Sequence, residues 1–459
     1  MHTCVIEIND AAITVSDGET VLLESPGYAL VDHDQVLVGE AASRRVRLNP
    51  RAIYDRFWNQ LSLEPLSKRH VKVQHQADLA YYHLAAIWDA IKSNAEEIIF
   101  AVPGLFSTEQ LRLLLGIAQA CAIPAVGLVD AALAAASHAD MEGTLWHLDI
   151  QLHHAVLTQL YAGARLTRLD VHRIPRTGLI AMHEAWMNAI TDAFVREARF
   201  DPTQLAYTEQ ALYDRLPSWL ASLNADSYAT LELRTGHTTH RINIQRERLI
   251  QATAELYQEI GQHVRNHLRP DESTMLLISH RLAELPGLPE ALCAPRECRT
   301  VSLKACTMAR GVLTNEAHIR CADSALKFVT SLPARKPARA RTAPMRPSSK
   351  AKPTHVVYEG YAYAITDRPL LVGANILPGE HGIEVGAYCN GIAHHHCSIR
   401  RRGQEIVIEN HSAEGTIVND KRIDISATVG AGDTVKVGTP GVELLLIALM
   451  EPMGQSDAP

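Results

Sequence analysis

His394, His395 and His396 stand side by side, with Cys389 and Cys397 close by, and make the densest group of metal-ligating side chains in the chain. Imidazole and thiolate in such number could hold zinc. Convergence is the obstacle. Neighbouring side chains on a strand face opposite ways, so three consecutive residues do not reach one ion. The reading is one structural histidine, His396, with two surface neighbours. Cys293, Cys298 and Cys306 form a second group, at a spacing that fits no zinc ribbon or finger. Buried free thiols account for them, and no metal is expected. No P-loop and no serine–histidine–acid set stands at an informative spacing. One further chemistry is electrostatic. Arg335, Lys336, Arg339, Arg341, Arg346, Lys350 and Lys352 lie between Ser331 and Thr354 with no acid among them. Such a run can meet phosphate groups. It lacks the interleaved aromatic residues that stack bases, so no specific nucleic-acid partner is expected.

The elements that must position these residues are legible from composition and periodicity. A chain of 459 residues, 47% apolar and 21% charged, fits an ordinary globular protein of two or three domains. The net charge is −7, so the basic segment leaves −14 elsewhere. Eight cysteines occur without a CxxC pair, and Met1-His2-Thr3-Cys4 runs straight into strand-like Val5–Ile8. These features imply reduced thiols and a cytoplasmic protein. Arg112, Gln119, Pro124 and Asp130 interrupt the longest apolar stretch, so no membrane span is expected.

Before the basic segment, short strands alternate with long helices. Strands are expected near residues 5–8, 12–15, 36–38, 98–102, 125–128, 145–150, 155–160 and 275–278. Helices are expected over residues 78–92, 108–122, 179–197, 209–220 and 246–267. This alternation implies an α/β domain over residues 1–330. Residues 331–354, rich in Pro, Ala and basic groups, read as an extended linker. Residues 355–450 change pattern to short strands and Gly, Asn or Asp turns, with Asn419-Asp420 as a hairpin signal. That pattern implies an all-β sandwich, followed by a disordered tail over 451–459. No internal repeat is visible.

Several segments of the first domain occur in a telling order. Leu37-Val38-Gly39-Glu40-Ala41-Ala42 is followed by Asn49-Pro50, then Ala101-Val102-Pro103, Val129-Asp130-Ala131-Ala132, and the strand and helix around Ile242–Leu249. Together they resemble the nucleotide-binding domain of DnaK-type heat-shock chaperones, in the actin-like ATPase superfamily. The resemblance implies a two-lobed fold with ATP between the lobes, held by glycine-bearing turns. Backbone amides reach polyphosphate closely only where glycine leaves room.

The turns depart from that pattern. The family's Asp-x-Gly-Thr turn corresponds to Glu7-Ile8-Asn9-Asp10-Ala11-Ala12, and its Asp-x-Gly-Gly-Gly-Thr turn to Asp149-Ile150-Gln151-Leu152-His153-His154. Its adenosine Gly-Gly pair corresponds to Ser279-His280-Arg281. Glu7, Asp10, Asp149 and Ser279 are therefore nucleotide-site remnants. Glu7 and Asp149 keep carboxylates that a magnesium ion could use, and as solvated strand-end acids they need none. Side chains in place of glycine are expected to fill the phosphate site or bend its backbone away. The family's peptide-binding sandwich and lid are absent.

Gly373-Ala374, Ala393-His394-His395-His396, Glu414-Gly415-Thr416-Ile417-Val418-Asn419-Asp420 and Gly432-Asp433 resemble the motifs of a forkhead-associated (FHA) domain, whose loops bind phosphothreonine peptides. Gly382 to Gly386 offers a competing register for the first. The resemblance implies a loop face of Ala374, Ala393, His394, Glu414, Gly415, Thr416 and Asn419, with His396, Gly432 and Asp433 structural. The family's phosphate-binding Arg, Ser and Asn are Ala374, Ala393 and Glu414 here. Glu414 would repel a dianion, and His394 compensates only when protonated.

The expectation is a non-enzymatic cytoplasmic adaptor or assembly scaffold, joining a pseudo-ATPase to a phosphate-independent FHA-like domain. It needs no cofactor. It meets protein partners through both domains, and a homo-oligomer is compatible with it. The alternatives are a nucleotide-dependent chaperone-like ATPase and a phosphothreonine-binding adaptor of a bacterial secretion or envelope machine.

Overall fold

Val5, Ile6, Ile98, Ile99 and Phe100 are wholly shielded from water. Apolar runs of this kind form parallel strands covered on both faces. In the computed structural model they lie in β1 (Thr3–Glu7) and β7 (Glu97–Val102), which pair in parallel. The structure describes all residues except Met1, Asp34, Ser67, Arg69, Asp140, 269–273, 293–297, 322–325, 335–351, 359–360, Pro378, 386–391, Gln404, 413–414, Asp420, 439–441 and 449–459. The chain divides into two units, residues 1–340 and 341–459.

The first unit is mixed α/β. Beside β1 lie β2 (Ile13–Ser16) and β3 (Val21–Ser25), both antiparallel to their neighbours. Beside β7 lie β8 (Ala125–Asp130) and β16 (Phe328–Val329), both parallel. A second sheet starts with the meander β9 (Gly143–Ile150), β10 (His154–Ala162) and β11 (Arg165–Pro175). β14 (Thr274–Ile278) joins β9 in parallel, and β15 (Cys298–Ser302) joins β14. The two sheets have one order: β3-β2-β1-β7-β8 and β11-β10-β9-β14-β15. The connectivity thus recurs, although the sequence shows no repeat. A three-stranded sheet of β4 (Ala29–Asp32), β5 (Gln35–Val38) and β6 (Ile53–Tyr54) and a hairpin of β12 (Tyr228–Thr235) and β13 (Thr238–Gln245) complete the strands before residue 330.

Small side chains let the two sheets approach. The helix Ala131–Ala136 is buried throughout and packs in one core with Val5 and Ile99 of the first sheet and Leu145, Leu160 and Leu277 of the second. Asp130 caps it, accepting from the Leu133 amide at 2.9 Å. Gly311, in the helix Thr307–Thr314, faces the Ala134 carbonyl so closely that any Cβ would overlap it.

The expected helices are present, with two corrections, and a third correction falls at the start of the expected linker. The helix expected over 246–267 is two, Arg246–Ala252 and Ala254–His267. Between them, Thr253 turns its hydroxyl back to donate to the Leu249 carbonyl at 3.2 Å. The helix expected to stop at Leu220 runs from Ala206 to Ala225, with Pro217 inside it. Ser331–Pro333, expected to open the linker, is a strand, β17, antiparallel to β11. Its Ser331 hydroxyl accepts from Arg165 at 2.9 Å. Most of the linker and the tail lie outside the described residues.

The second unit is a β-sandwich. One sheet, in the order β19-β18-β28-β27-β24-β25, contains β18 (His355–Tyr358), β19 (Tyr361–Ala364), β24 (Thr416–Val418), β25 (Lys421–Ile423), β27 (Thr434–Val437) and β28 (Val442–Ile447). The other, β21-β20-β22-β23-β26, contains β20 (Leu370–Gly373), β21 (Gly382–Glu384), β22 (Cys397–Arg402), β23 (Glu405–Asn410) and β26 (Ser426–Val429). Alternation sets the faces. Val435, Val437, Leu444 and Leu446 point into the core, while Lys436 and Glu443 meet outside at 2.8 Å. Among the described residues, no helix is long and apolar enough to cross a membrane.

Candidate functional site

The two hairpin turns expected to cradle phosphate, β1–β2 and β9–β10, face each other and are bonded together. Asn9 Nδ2 donates to Asp149 Oδ2 and to the Ile150 carbonyl, each at 3.0 Å. Asp10 Oδ1 accepts from the Leu152 amide at 2.8 Å. Within the turns, the Ala11 amide donates to Asn9 Oδ1, the Ile150 amide to Asp149 Oδ1, and the Gln151 amide to the His154 carbonyl. These donors of the two turns are already spent on the protein.

Arg281 completes this floor. It follows β14, and its guanidinium donates to both oxygens of Glu7 at 2.9 Å and to the Ala12 carbonyl at 3.0 Å. Asp149 Oδ2 lies 3.9 Å away. Thr14 adds a hydroxyl donor to Glu7 at 2.9 Å. Burial alone would raise the Glu7 carboxyl; the Arg281 charge and hydrogen bonds outweigh it and bring Glu7 to about 2. Burial likewise opposes the charge on Arg281, and Glu7 and Asp149 overcome it, holding the guanidinium above its ordinary value. Asp10 has no such cation. Burial pushes it to about 6 against the pull of the Leu152 amide, and its Oδ2 has no partner. Ser279 Oγ is also buried without a partner. The crevice lined by Glu7, His147, Asp149, Ser279 and Arg281 measures about 30 Å³, water-sized rather than phosphate-sized.

The four expected remnants, Glu7, Asp10, Asp149 and Ser279, thus converge. Glu7 and Asp149 are not the solvated strand-end acids that the sequence suggested, because Arg281 and Asn9 engage them. Arg281 itself was missed as a participant; its only signal was a cation directly after a buried strand. Farther along the cleft, polar contacts join the two walls. The Tyr28 and Tyr213 hydroxyls meet at 3.0 Å. Arg47 is paired with Glu184 and, at 3.4 Å, with Glu209. Gln210 accepts from the Arg47 amide at 2.7 Å and donates to the Ser43 carbonyl at 3.1 Å. Nothing in the spacing of these residues announced the contacts.

The loops of the sandwich gather around His396. This ring is fully buried; Nδ1 accepts from the Ala393 amide at 3.3 Å and Nε2 donates to the Gly415 carbonyl at 3.1 Å. The Ala374 amide donates to the Ala393 carbonyl at 3.0 Å. Gly373 lies so close to the His394 carbonyl that no Cβ fits there. Gly373-Ala374 is therefore the turn that meets the histidine loop, while Gly382 opens the separate strand β21. The three histidines precede β22 rather than lying on a strand. His394 is exposed, and His395 turns to Glu380 at 3.1 Å.

Three residues of the expected loop face are placed otherwise. Thr416 is fully buried and donates to Asn410 Oδ1 at 2.8 Å. Gly415 is buried beneath the Arg422 side chain, at a φ of 77°. Asn419 is exposed but bends the β24–β25 hairpin at a φ of 48°, its Oδ1 accepting from the Thr434 amide. Gly432, at a φ of 87°, and Asp433, which accepts from the Gly430 amide at 2.7 Å, form the turn into β27. Glu414 lies outside the described residues.

Residues 383–438 match the family model of the FHA domain. An FHA domain is a protein-interaction module, typically one that binds phosphopeptides. No curated protein matches the chain.

Proposed function

We propose that this protein is a non-enzymatic adaptor, in which an actin-like, DnaK-related pseudo-ATPase is joined to a sandwich that binds proteins without requiring phosphate. The recurring sheet order supports the two-lobed actin-like fold of the first unit. The observation that carries the functional reading is the resident charge on the cleft floor. Arg281 occupies the place of a metal cation between Glu7 and Asp149, and Asp10 takes the Leu152 amide that an anion would need. A nucleotide would have to displace both. In the sandwich, Ala374 and Ala393 bring no side-chain donor to the loop face, and a phosphate needs such donors.

Acid extraction of the purified protein, followed by chromatography, tests the first half. The expected result is no co-purifying adenine nucleotide. A stoichiometric amount would return the chaperone-like ATPase to first place. One observation favours a second reading, a phosphothreonine-binding adaptor: Arg422 lies across Gly415 and brings a guanidinium to the loop face. Titration of the full chain with a phosphothreonine peptide library separates the two. Retention that depends on phosphate and falls with Arg422→Ala supports the second reading.

A further inference from the structure

Beyond its bonded floor, the cleft of the first unit remains open, with a volume of about 920 Å³. Small-molecule sites have this size. Leu152, Leu179, Leu220 and Leu285 make its walls apolar. Its charge is acidic from both sides. Glu24 of β3 lines one wall, and Asp214 and Glu284 line the other. Among the described residues none of these three is ion-paired; Asp214 accepts only an amide donor, Gln210 Nε2, at 2.8 Å.

The two arginines that line the same space are each paired with another carboxylate, although the Arg44 charge also reaches Asp214 and the Arg281 charge reaches Glu24. Arg44 pairs with Glu40 at 2.9 Å, and Arg281 is held by Glu7. His183 also lines the cleft, with its Nδ1 buried and without a hydrogen-bond partner. Burial, helped by the nearby Arg47 charge, lowers this imidazole to about 4, so it brings no competing cation to the cleft. The cleft therefore combines apolar surface with carboxylates on both walls that outnumber the arginines lining the same space.

These features select against a nucleotide, whose phosphates the carboxylates repel. They select for ammonium groups, which form charge-assisted hydrogen bonds with carboxylates, carried on a methylene stem that can lie against leucine. We propose that the cleft binds a linear aliphatic polyamine, with its ammonium ends on Glu24, Asp214 and Glu284. The proposal rests on the reading that nucleotide does not fill this cleft. A linear small molecule does not require the Tyr28 and Tyr213 hydroxyls to part, whereas a protein segment laid between the walls would.

Calorimetric titration of spermidine into the full chain at physiological ionic strength tests the proposal. The expected result is saturable binding of one molecule per chain, weakened at least about tenfold by combined Asp214→Asn and Glu284→Gln. Circular dichroism checks that the variant is folded. Glu405→Gln, at an exposed carboxylate of the sandwich, should leave the binding unchanged, and 1,8-octanediol, which has the stem without the charges, should not bind. Absence of saturable binding, or binding indifferent to the double variant, overturns the proposal. A parallel titration with magnesium-ATP separates the two levels. If both ligands are silent, only the polyamine site fails. If ATP binds, the nucleotide-free reading fails and the polyamine site with it.

Discussion

The floor of the α/β cleft and the loop face of the sandwich are two places where a phosphate would need donors. In the cleft the donors are present but engaged: Arg281, Asn9 and the turn amides bond to Glu7, Asp149, Asp10 and their neighbours. On the sandwich two of the positions that would supply side-chain donors bring none, because the meeting loops carry Ala374 and Ala393. An occupied site and an emptied site behave differently under mutation. The first is a buried charge network whose disruption costs stability. The second is open surface whose residues can change with little consequence for the fold.

The largest expected effect follows from that contrast. Arg281→Ala leaves Glu7 buried and uncompensated, which should cost about 3–5 kcal/mol. Urea denaturation of the full chain reads it as an earlier transition of the first unit. Adding Glu7→Gln should recover part of the loss. A cost near zero for the single variant would mean that the network does not hold the floor together.

Within the sandwich, the comparable site is the structural ring and not the loop face. His396→Ala removes two hydrogen bonds from a buried position and leaves a cavity, at an expected cost of about 2–4 kcal/mol. Ala374→Ser, on the loop face, should change stability by less than about 0.5 kcal/mol. Equal costs at the two positions would erase the distinction between frame and face.

The cleft should also leave a mark on pH dependence. Asp10 titrates at about 6 in the folded protein, above its ordinary 3.8. The folded state therefore binds the extra proton, and stability should rise as pH falls from about 6 toward 3.8. Glu7 has the opposite sign. Its folded value of about 2 lies below its ordinary 4.5, so its contribution is complete above 4.5 and is lost as pH falls further. Together they place a stability maximum near pH 4, between the ordinary values of the two carboxyls. Asp10→Asn should flatten the upper limb, by up to about 3 kcal/mol, and leave the acid limb in place. Denaturation midpoints measured across the range check both limbs.

The smallest expected effect sharpens the comparison from the other side. Because Ala374 and Ala393 bring no side-chain donor to the loop face, donors can be returned at those two positions. Ala374→Arg with Ala393→Ser should raise preference for phosphothreonine peptides over their unphosphorylated forms by about tenfold, the value of one charge-assisted hydrogen bond. Titration against a phosphothreonine peptide library measures it. In the cleft no single substitution should have a corresponding effect for nucleotide, since several amides are engaged at once.

The sequence revealed what depends on short-range pattern. Apolar runs marked β7 and β14, and Asn419-Asp420 marked the β24–β25 hairpin. Contacts between distant residues were hidden. Arg281 and Glu7 are far apart in the chain, as are Tyr28 and Tyr213, and neither pair has a local signature. The recurring sheet order was hidden too, because strand order is set by packing and the two copies of the connectivity use different side chains. Thr416 looked like a surface donor because motif position says nothing about burial.

Calorimetric titration of magnesium-ATP into the full chain tests the central claim most directly. The account predicts no saturable heat at physiological nucleotide concentrations, for the wild type and for Asp10→Gly alike, because the Arg281–Glu7 pair and the engaged turn amides survive that change. Saturable binding to the wild type, abolished by Asp149→Ala, would contradict the account and make the cleft a nucleotide site after all.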